Sequence, residues 1–186
     1  MDLFWRKGYD ATSMSDLTEA LGIGRQSLYG AFGDKRRLFV ECLERYCDEV
    51  LEKSLLHLLE GEEPPLRSIE RVLDAWEAYA KSDDFHGCLL GKSVAELGMR
   101  DSELDALMRR KLDRVRAAFE RALGRAKAAG ELRAEVDVRS LARSLTAFAQ
   151  GAAVVCQVWR DPRAVRDTMA GARSLLESSA APARRR

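Results

Sequence analysis

Apolar residues recur at intervals of three and four along most of this chain, which is the spacing of one face of an α-helix. The longest such stripe follows Asp34 and continues to Glu60, so the pattern predicts one long helix that begins at Lys35. Shorter stripes predict helices over residues 66–80 and 87–97, and further helices from Ser102, after Asp137 and after Asp161-Pro162. Alternating runs that would indicate strands are not visible, and the chain is therefore predicted to be all-α.

The stretch from residue 13 to residue 39 contains two short predicted helices joined by a glycine turn. Ser13 and Asp16 have the spacing of a capping box, which satisfies free backbone N–H groups at a helix start. Gly22 suits the left-handed conformation that often ends a helix, and residues 25–32 form the second helix. A helix, a short glycine turn and a second helix form the arrangement that places the second helix in the DNA major groove.

A set of residues with fixed spacing surrounds this motif. Its members are Gly8-Tyr9, Thr12-Ser13-Met14, Leu17, Leu21-Gly22-Ile23, Ser27-Leu28-Tyr29, Phe32, Lys35 and Leu38-Phe39. The set closely resembles the DNA-binding domain of the TetR (tetracycline repressor) family. The remainder of the chain fits that family as an all-helical region of suitable length.

The resemblance implies three parts of the chain. Residues 1–45 would form a three-helix helix-turn-helix DNA-binding domain, and residues 46–179 a larger helical bundle for ligand binding and dimerisation. Residues 180–186 are expected to be a frayed basic end. The family's first helix begins further upstream, so we expect either a full-length protein that starts before Met1 or a shortened first helix. Leu3 and Phe4 are expected to pack on Leu17, Leu21 and Leu28.

The residues predicted to contact DNA lie on the second helix of the motif and at the starts of its neighbours. They are Ser13, Ser15, Arg25, Gln26, Ser27, Tyr29, Gly30, Ala31 and Lys35. Arg25 would pair with a guanine edge, and Tyr29 and Lys35 would contact phosphates. Arg25 as a solvated surface charge and Ser13 as a cap alone remain open alternatives. Residues 1–45 contain seven basic and seven acidic residues, so this interpretation rests on local geometry and not on a basic domain.

The larger region is expected to hold a pocket for an unidentified small-molecule effector. The candidates for its walls are Trp76, Tyr79, Phe85, His86, Cys88, Glu96, Met108, Phe119, Phe148, Gln150 and Trp159. His86, Glu96 and Gln150 are the polar members that would orient a ligand. Each apolar member fits equally well as ordinary core.

The last two predicted helices carry a heptad-like seam that suggests a homodimer. Its members are Leu141, Leu145, Phe148, Ala152, Val155 and Trp159, followed by Val165, Met169, Ala172 and Leu176. Pairs of these helices from two subunits would form a four-helix interface and present two reading helices to two half-sites. Completion of a monomeric core is the alternative.

Composition narrows the functional classes. Of the 186 residues, 33% are charged and the net charge is +1, which argues against a generally basic nucleic-acid coat protein. The four cysteines form no C-x-x-C pair and there are two histidines, so neither a metal site nor a cofactor is predicted. Buried thiols in a reducing cytoplasm explain the cysteines, with a redox-active Cys88 as the alternative. No membrane span, signal peptide or catalytic constellation is visible.

The predicted function is therefore that of a ligand-responsive transcriptional regulator, most often a repressor in the family that the chain resembles. It would bind a near-palindromic double-stranded operator as a homodimer and be released by a small molecule. A helical interaction module that has lost DNA binding is the alternative.

Overall fold

A computed structural model describes residues 1–98 and 100–182, except for the side chain of Leu56. The described residues fold into helices, as predicted. Their bounds are α1 Asp2–Lys7, α2 Met14–Leu21, α3 Arg25–Phe32, α4 Lys35–Tyr46, a π-helix Cys47–Glu52, α5 Lys53–Leu59, α6 Pro65–Ala80, α7 Leu89–Leu97, α8 Ser102–Ala128, α9 Val138–Trp159 and α10 Pro162–Ser179.

Aspartate or serine side chains cap the starts of α2, α4, α8, α9 and α10. Ser13 accepts a hydrogen bond from the Asp16 backbone N–H, and the Asp16 carboxylate accepts one from Ser13, which completes the predicted capping box. Asp137 caps α9 and Asp161 caps α10, as expected. Helix α8 begins at Ser102, as predicted, and its cap is Asp101, whose carboxylate accepts from the backbone N–H groups of Glu103 and Leu104.

The long helix predicted from Lys35 is not uniform. Its α-helical turns stop at Tyr46, continue as a π-helix over Cys47–Glu52 and resume at Lys53. Charged contacts hold this wider segment against α8, since Lys111 Nζ lies 2.5 Å from an Asp48 carboxylate oxygen. The apolar spacing in the sequence continues across this segment, so it did not reveal the π-helix.

Two buried clusters hold the fold together. One joins α1–α4 to α7 and the first part of α8, and the other joins α5, α6, α8, α9 and α10. Phe4 is fully buried in the first cluster with Leu17 and Leu28, as expected for α1. The expected packing of α1 on Leu21 is wrong, because Leu21 lies on the outer side of α2 and is 50% exposed.

The chain end is also different from the expectation. The Ala181 N–H donates to the Glu131 carbonyl at 2.7 Å, and Ala180 forms an isolated antiparallel bridge with Leu132. The first residues of the predicted frayed end are therefore tied to the α8–α9 connection. The rest of that end, residues 183–186, lies outside the described residues.

Most residues of the predicted dimer seam belong to the hydrophobic core of the single chain. Seven of its ten members are buried within the single chain, namely Leu141, Leu145, Ala152, Val165, Met169, Ala172 and Leu176. Phe148 and Val155 are half-buried, and Trp159 is 57% exposed. Heptad spacing marks the side of a helix that packs against another helix, and here the other helix belongs to the same chain.

Candidate functional site: a reading helix and a core cavity

Helix α3 presents one buried and one open side. Leu28 is 2% exposed and anchors the helix in the first cluster. The opposite side is exposed along its whole length, and it consists of Arg25, Gln26, Ser27, Tyr29, Gly30 and Ala31. A side chain built at Gly30 would meet open space, so another molecule can approach the backbone there. The surface formed by these six residues is called the reading surface below.

The start of α2 lies beside the reading surface. The Arg25 guanidinium donates a hydrogen bond of 2.9 Å to the Ser15 hydroxyl, so both predicted contact residues are adjacent. Ser13 is exposed, but its hydroxyl is engaged in the capping box, where it donates to Asp16 at 2.7 Å. Hydrogen bonds from Lys7 and Ser13 hold the pKa of the Asp16 carboxyl well below its usual range. This charged cluster fixes the α1–α2 corner.

Lys35 occupies the corner where α3 gives way to α4. Its Nζ lies 4.3 Å from the centre of the Tyr9 ring, a cation–π contact. Burial raises the pKa of the Tyr9 phenol, with the Asp34 charge adding to the effect. The cation–π contact with Tyr9 therefore holds the Lys35 ammonium group in place beside α3.

The core holds a cavity of about 340 Å³. Of the predicted pocket residues, Trp76, Tyr79, Phe119, Phe148 and Gln150 line it. Its remaining walls come from Trp5, Tyr46, Val50, Leu51, Ser54, Leu55, Leu58, Val72, Leu73, Ala75, Gly87, Val115, Leu145, Ala149 and Met169. The volume is in the range that binds small molecules, and aromatic and aliphatic side chains dominate the lining.

The other apolar members of the predicted pocket lie elsewhere. Met108 is buried in the first cluster, and Phe85 packs beside the small cluster of Ala80, Cys156 and Val165. Trp159 projects from the end of α9. Apolar spacing placed Met108 and Trp159 on helix faces but did not say which face meets the cavity.

The polar members outside the cavity pack or form hydrogen bonds within the fold, although the buried Nε2 atom of His86 has no partner among the described residues. Cys88 is buried and accepts from the Gly91 N–H at the start of α7. The His86 ring packs edge-on against Trp5, and its carbonyl accepts from Gln157. Glu96 was predicted to face a ligand, yet its carboxylate accepts the backbone N–H groups of Tyr9 at 2.9 Å and Asp10 at 2.6 Å.

The sequence analysis missed Trp5 as a cavity residue. The indole lines the cavity although it belongs to α1. Its Nε1–H donates to the Gly87 carbonyl at 2.9 Å, and its ring packs edge-on against Tyr46 with centroids 4.9 Å apart. Nothing in the local pattern around Trp5 signals this contact, because the partners lie more than 40 residues away in the chain.

Further contacts connect α1–α4 to the core. Arg36 forms a two-pronged pair with Asp101, which includes a hydrogen bond of 2.9 Å, and this pair holds the Asp101 pKa well below its usual range. Lys92 Nζ donates to the Trp5 carbonyl at 2.9 Å. The reading surface is thus attached to the core by α1 and the α1–α2 turn as well as by α4.

Comparison with known proteins agrees with this architecture. The family profile described as "Tetracyclin repressor-like, C-terminal domain" matches residues 65–172, more than half of the chain. The profile described as "Bacterial regulatory proteins, tetR family" matches residues 1–42. The chain belongs to the TetR family of transcriptional regulators.

Individual TetR-type relatives span most of the chain. An uncharacterised HTH-type transcriptional regulator of Bacillus subtilis, YezE, is 31% identical over 95% of this chain and 92% of its own. The HTH-type transcriptional repressor ComR of Escherichia coli is 29% identical over 83% of this chain and 74% of its own. A structure of the TetR-family regulator CifR in complex with a 26-bp operator DNA superposes with a TM-score of 0.81 at 27% identity, covering 96% of this chain and 91% of CifR.

TetR-family proteins are DNA-binding regulators and not enzymes, in agreement with the expectation from the sequence. Among the described residues, no group of three or more His, Cys, Asp or Glu side chains is placed to hold a metal ion. No helix in that part of the chain is long and apolar enough to cross a bilayer. Cys47, Cys88 and Cys156 are buried thiols, and burial raises the pKa of Cys47 to about 12.

Proposed function

We propose that this TetR-family regulator is a repressor that binds a near-palindromic operator as a homodimer in the cytoplasm and is released by a small molecule. Residues 1–45 would read the DNA, and residues 46–179 would bind the ligand and the second subunit. The observation that carries the proposal is the reading surface of α3, exposed along its length in the part of the chain that matches the TetR DNA-binding domain.

The residues of the reading surface have the chemistry for DNA. Arg25 can donate two parallel hydrogen bonds to a guanine, and Gln26 can pair with adenine in the same way. Tyr29 is 50% exposed, which leaves its hydroxyl free to donate to a phosphate. Ser13, Ser15, Ser27 and Lys35 would add backbone contacts at the flanks, and Gly30 and Ala31 would allow close approach. Ser13 would do so only by exchanging its bond to Asp16 for one to a phosphate, because its hydroxyl has a single hydrogen to donate.

An exposed apolar stripe on α9 supports a homodimer. Ala147, Gly151, Val154 and Val158 follow each other at helical spacing on the outer side, and Val154 and Val158 are 57% and 75% exposed. Contiguous exposed apolar surface is typical of an interface. A two-fold dimer through this stripe, in place of the predicted seam, would present two copies of α3 to two half-sites.

The cavity supports control by a ligand. Tyr46, Val50, Leu51 and Ser54 line it, and they lie on the helical connection between the reading surface and the core. A ligand that binds better to a conformation unable to hold DNA will shift the population toward that conformation and release the operator. The π-helix within this connection is an element that such a ligand would touch directly.

The test is operator affinity with substitutions on and off the reading surface. Arg25→Ala and Tyr29→Ala are each expected to weaken specific binding to the DNA upstream of the gene by about 1–3 kcal/mol, or roughly 5- to 150-fold. Arg67→Ala is the control, since Arg67 forms a surface pair with Glu70 on α6. Equal affinities for all three variants and the unmodified protein would favour an interaction module without DNA binding.

A further inference from the structure

The walls of the cavity carry no charge among the described residues. Its lining consists of aliphatic, aromatic and neutral polar side chains and includes no Asp, Glu, Lys, Arg or His. An ion that entered would lose its hydration without gaining a partner charge, which costs several kcal/mol. The occupant should therefore be neutral.

One polar group in the wall lacks a partner. The Gln150 Oε1 atom is buried and accepts no hydrogen bond. It lies against α7 so closely that a Cβ at Gly91 would overlap it, and the absence of a side chain there leaves room for the amide. The atom has no surface open to the cavity and faces Gly91, which does not belong to the lining, so it offers no acceptor to an occupant.

Aromatic rings form one end of the cavity. Trp76 and Tyr79 come from α6, Tyr46 from the end of α4, and Trp5 from α1. Planar aromatic molecules pack well in such an environment through stacked and edge-on contacts. The cavity volume accommodates a bicyclic ring system.

Trp5 brings the DNA-binding domain into the ligand site. Its indole is fixed by the Gly87 carbonyl and its own carbonyl is fixed by Lys92, both of which belong to the core. An occupant of the cavity touches Trp5 directly, so any displacement of the ring moves α1. Phe4, the preceding residue, is buried in one cluster with Leu28 of α3. A displacement of α1 is therefore transmitted to the helix that carries the reading surface.

We propose that the cavity binds a neutral aromatic molecule and that Trp5 is the positioning residue through which the bound molecule alters the reading surface. The ligand class stands on the cavity alone, and the role of Trp5 rests on the proposed function.

The ligand class is tested by calorimetry on the full chain without DNA. The probes are 1-naphthol, which is neutral and a donor, 1-methoxynaphthalene, which is neutral without a donor, and 1-naphthalenesulfonate, which is anionic. We expect 1-naphthol and 1-methoxynaphthalene both to bind, and the sulfonate not to bind, because the lining carries no charge to replace its hydration. Failure of both neutral probes to bind, or tighter binding of the sulfonate, would overturn the assigned class.

Trp5→Phe tests the positioning role with operator affinity as the readout. In the unmodified protein, saturating 1-naphthol should weaken operator binding at least tenfold, and Trp5→Phe, measured at a 1-naphthol concentration that saturates the variant, should lose most of this response. Trp159→Phe is the control, since Trp159 is 57% exposed and outside the lining. An undiminished response in Trp5→Phe would overturn the role of Trp5. Absence of operator binding in every variant would instead refute the proposed function, while calorimetry would still decide the ligand class.

Discussion

The reading surface and the core cavity are built from opposite kinds of residue. On α3 the side chains that face outward are polar or small, and they come from one short segment of the chain. The cavity is lined mainly by apolar side chains, which come from α1, the α4–α5 connection, α6, α8, α9 and α10. DNA is recognised by hydrogen bonds that compete with water, whereas a neutral ligand is recognised by a shape from which water is excluded. The two regions should therefore respond to different substitutions.

The largest effect is expected where the reading surface depends on the core. Phe4 is fully buried, with its ring 5.1 Å from that of Phe39. Phe4→Ala should destabilise the α1–α4 unit by about 3–5 kcal/mol and abolish operator binding, as measured by thermal denaturation and DNA titration. Leu21→Ala is the control, because Leu21 is half exposed and should lose much less. Equal stability of the two variants would show that α1 does not stabilise helices α2–α4.

A charge on the exposed stripe of α9 is expected to weaken operator binding without changing ligand binding in the cavity. Val154→Glu should prevent self-association, because a buried carboxylate without a partner opposes the interface. Light scattering should then report a monomer and operator affinity should fall at least a hundredfold, while 1-naphthol affinity stays unchanged. A dimer that binds DNA normally with Glu at this position would contradict the proposed interface.

A smaller effect is expected at the contact between the two regions. Glu96 accepts two backbone N–H groups from the turn between α1 and α2. Glu96→Ala should lower the free energy of unfolding by about 1–3 kcal/mol and weaken the effect of 1-naphthol on operator affinity, because the turn is no longer tied to α7. Glu70→Ala removes only a surface pair on α6 and serves as the control. A full ligand response in Glu96→Ala would place the coupling elsewhere.

The smallest expected effect is the dependence of stability on pH at Asp16. The pKa of Asp16 in α2 is held below its ordinary value of 3.8 by Lys7 and Ser13. A depressed carboxyl pKa contributes stability above pH 3.8 that is lost as the pH falls below that value. Asp16→Asn should therefore be less stable than the unmodified protein at pH 7, and the difference should shrink below pH 3.8. Melting temperatures measured across this range check the prediction, and a difference independent of pH would contradict it.

Local chemistry explains which parts of this molecule were predictable. The capping box at Ser13, the glycine turn at Gly22 and the aspartate caps of α9 and α10 each involve residues within a few positions of one another, so the sequence displays them directly. The outward side of α3 follows from the burial of Leu28 for the same reason. The family resemblance extended this local information to the whole fold.

Tertiary contacts explain what was missed. Trp5 reaches Gly87, and Glu96 reaches the α1–α2 turn, across more than 80 residues that no periodic pattern connects. The seam on α9 and α10 was assigned to a second subunit because heptad spacing is the same whether the neighbouring helix lies in the same chain or in another. Exposure in the folded chain, which the sequence does not contain, moves the candidate interface to the stripe at Val154 and Val158.

The most direct measurement is a footprint of the purified protein on the DNA upstream of its gene, with affinity determined at two salt concentrations. The account predicts protection of two related half-sites separated by one helical turn or a multiple of it, and an affinity that falls steeply as salt increases. Uniform protection, or an affinity equal to that for a scrambled fragment of the same composition, would contradict the claim that α3 reads an operator.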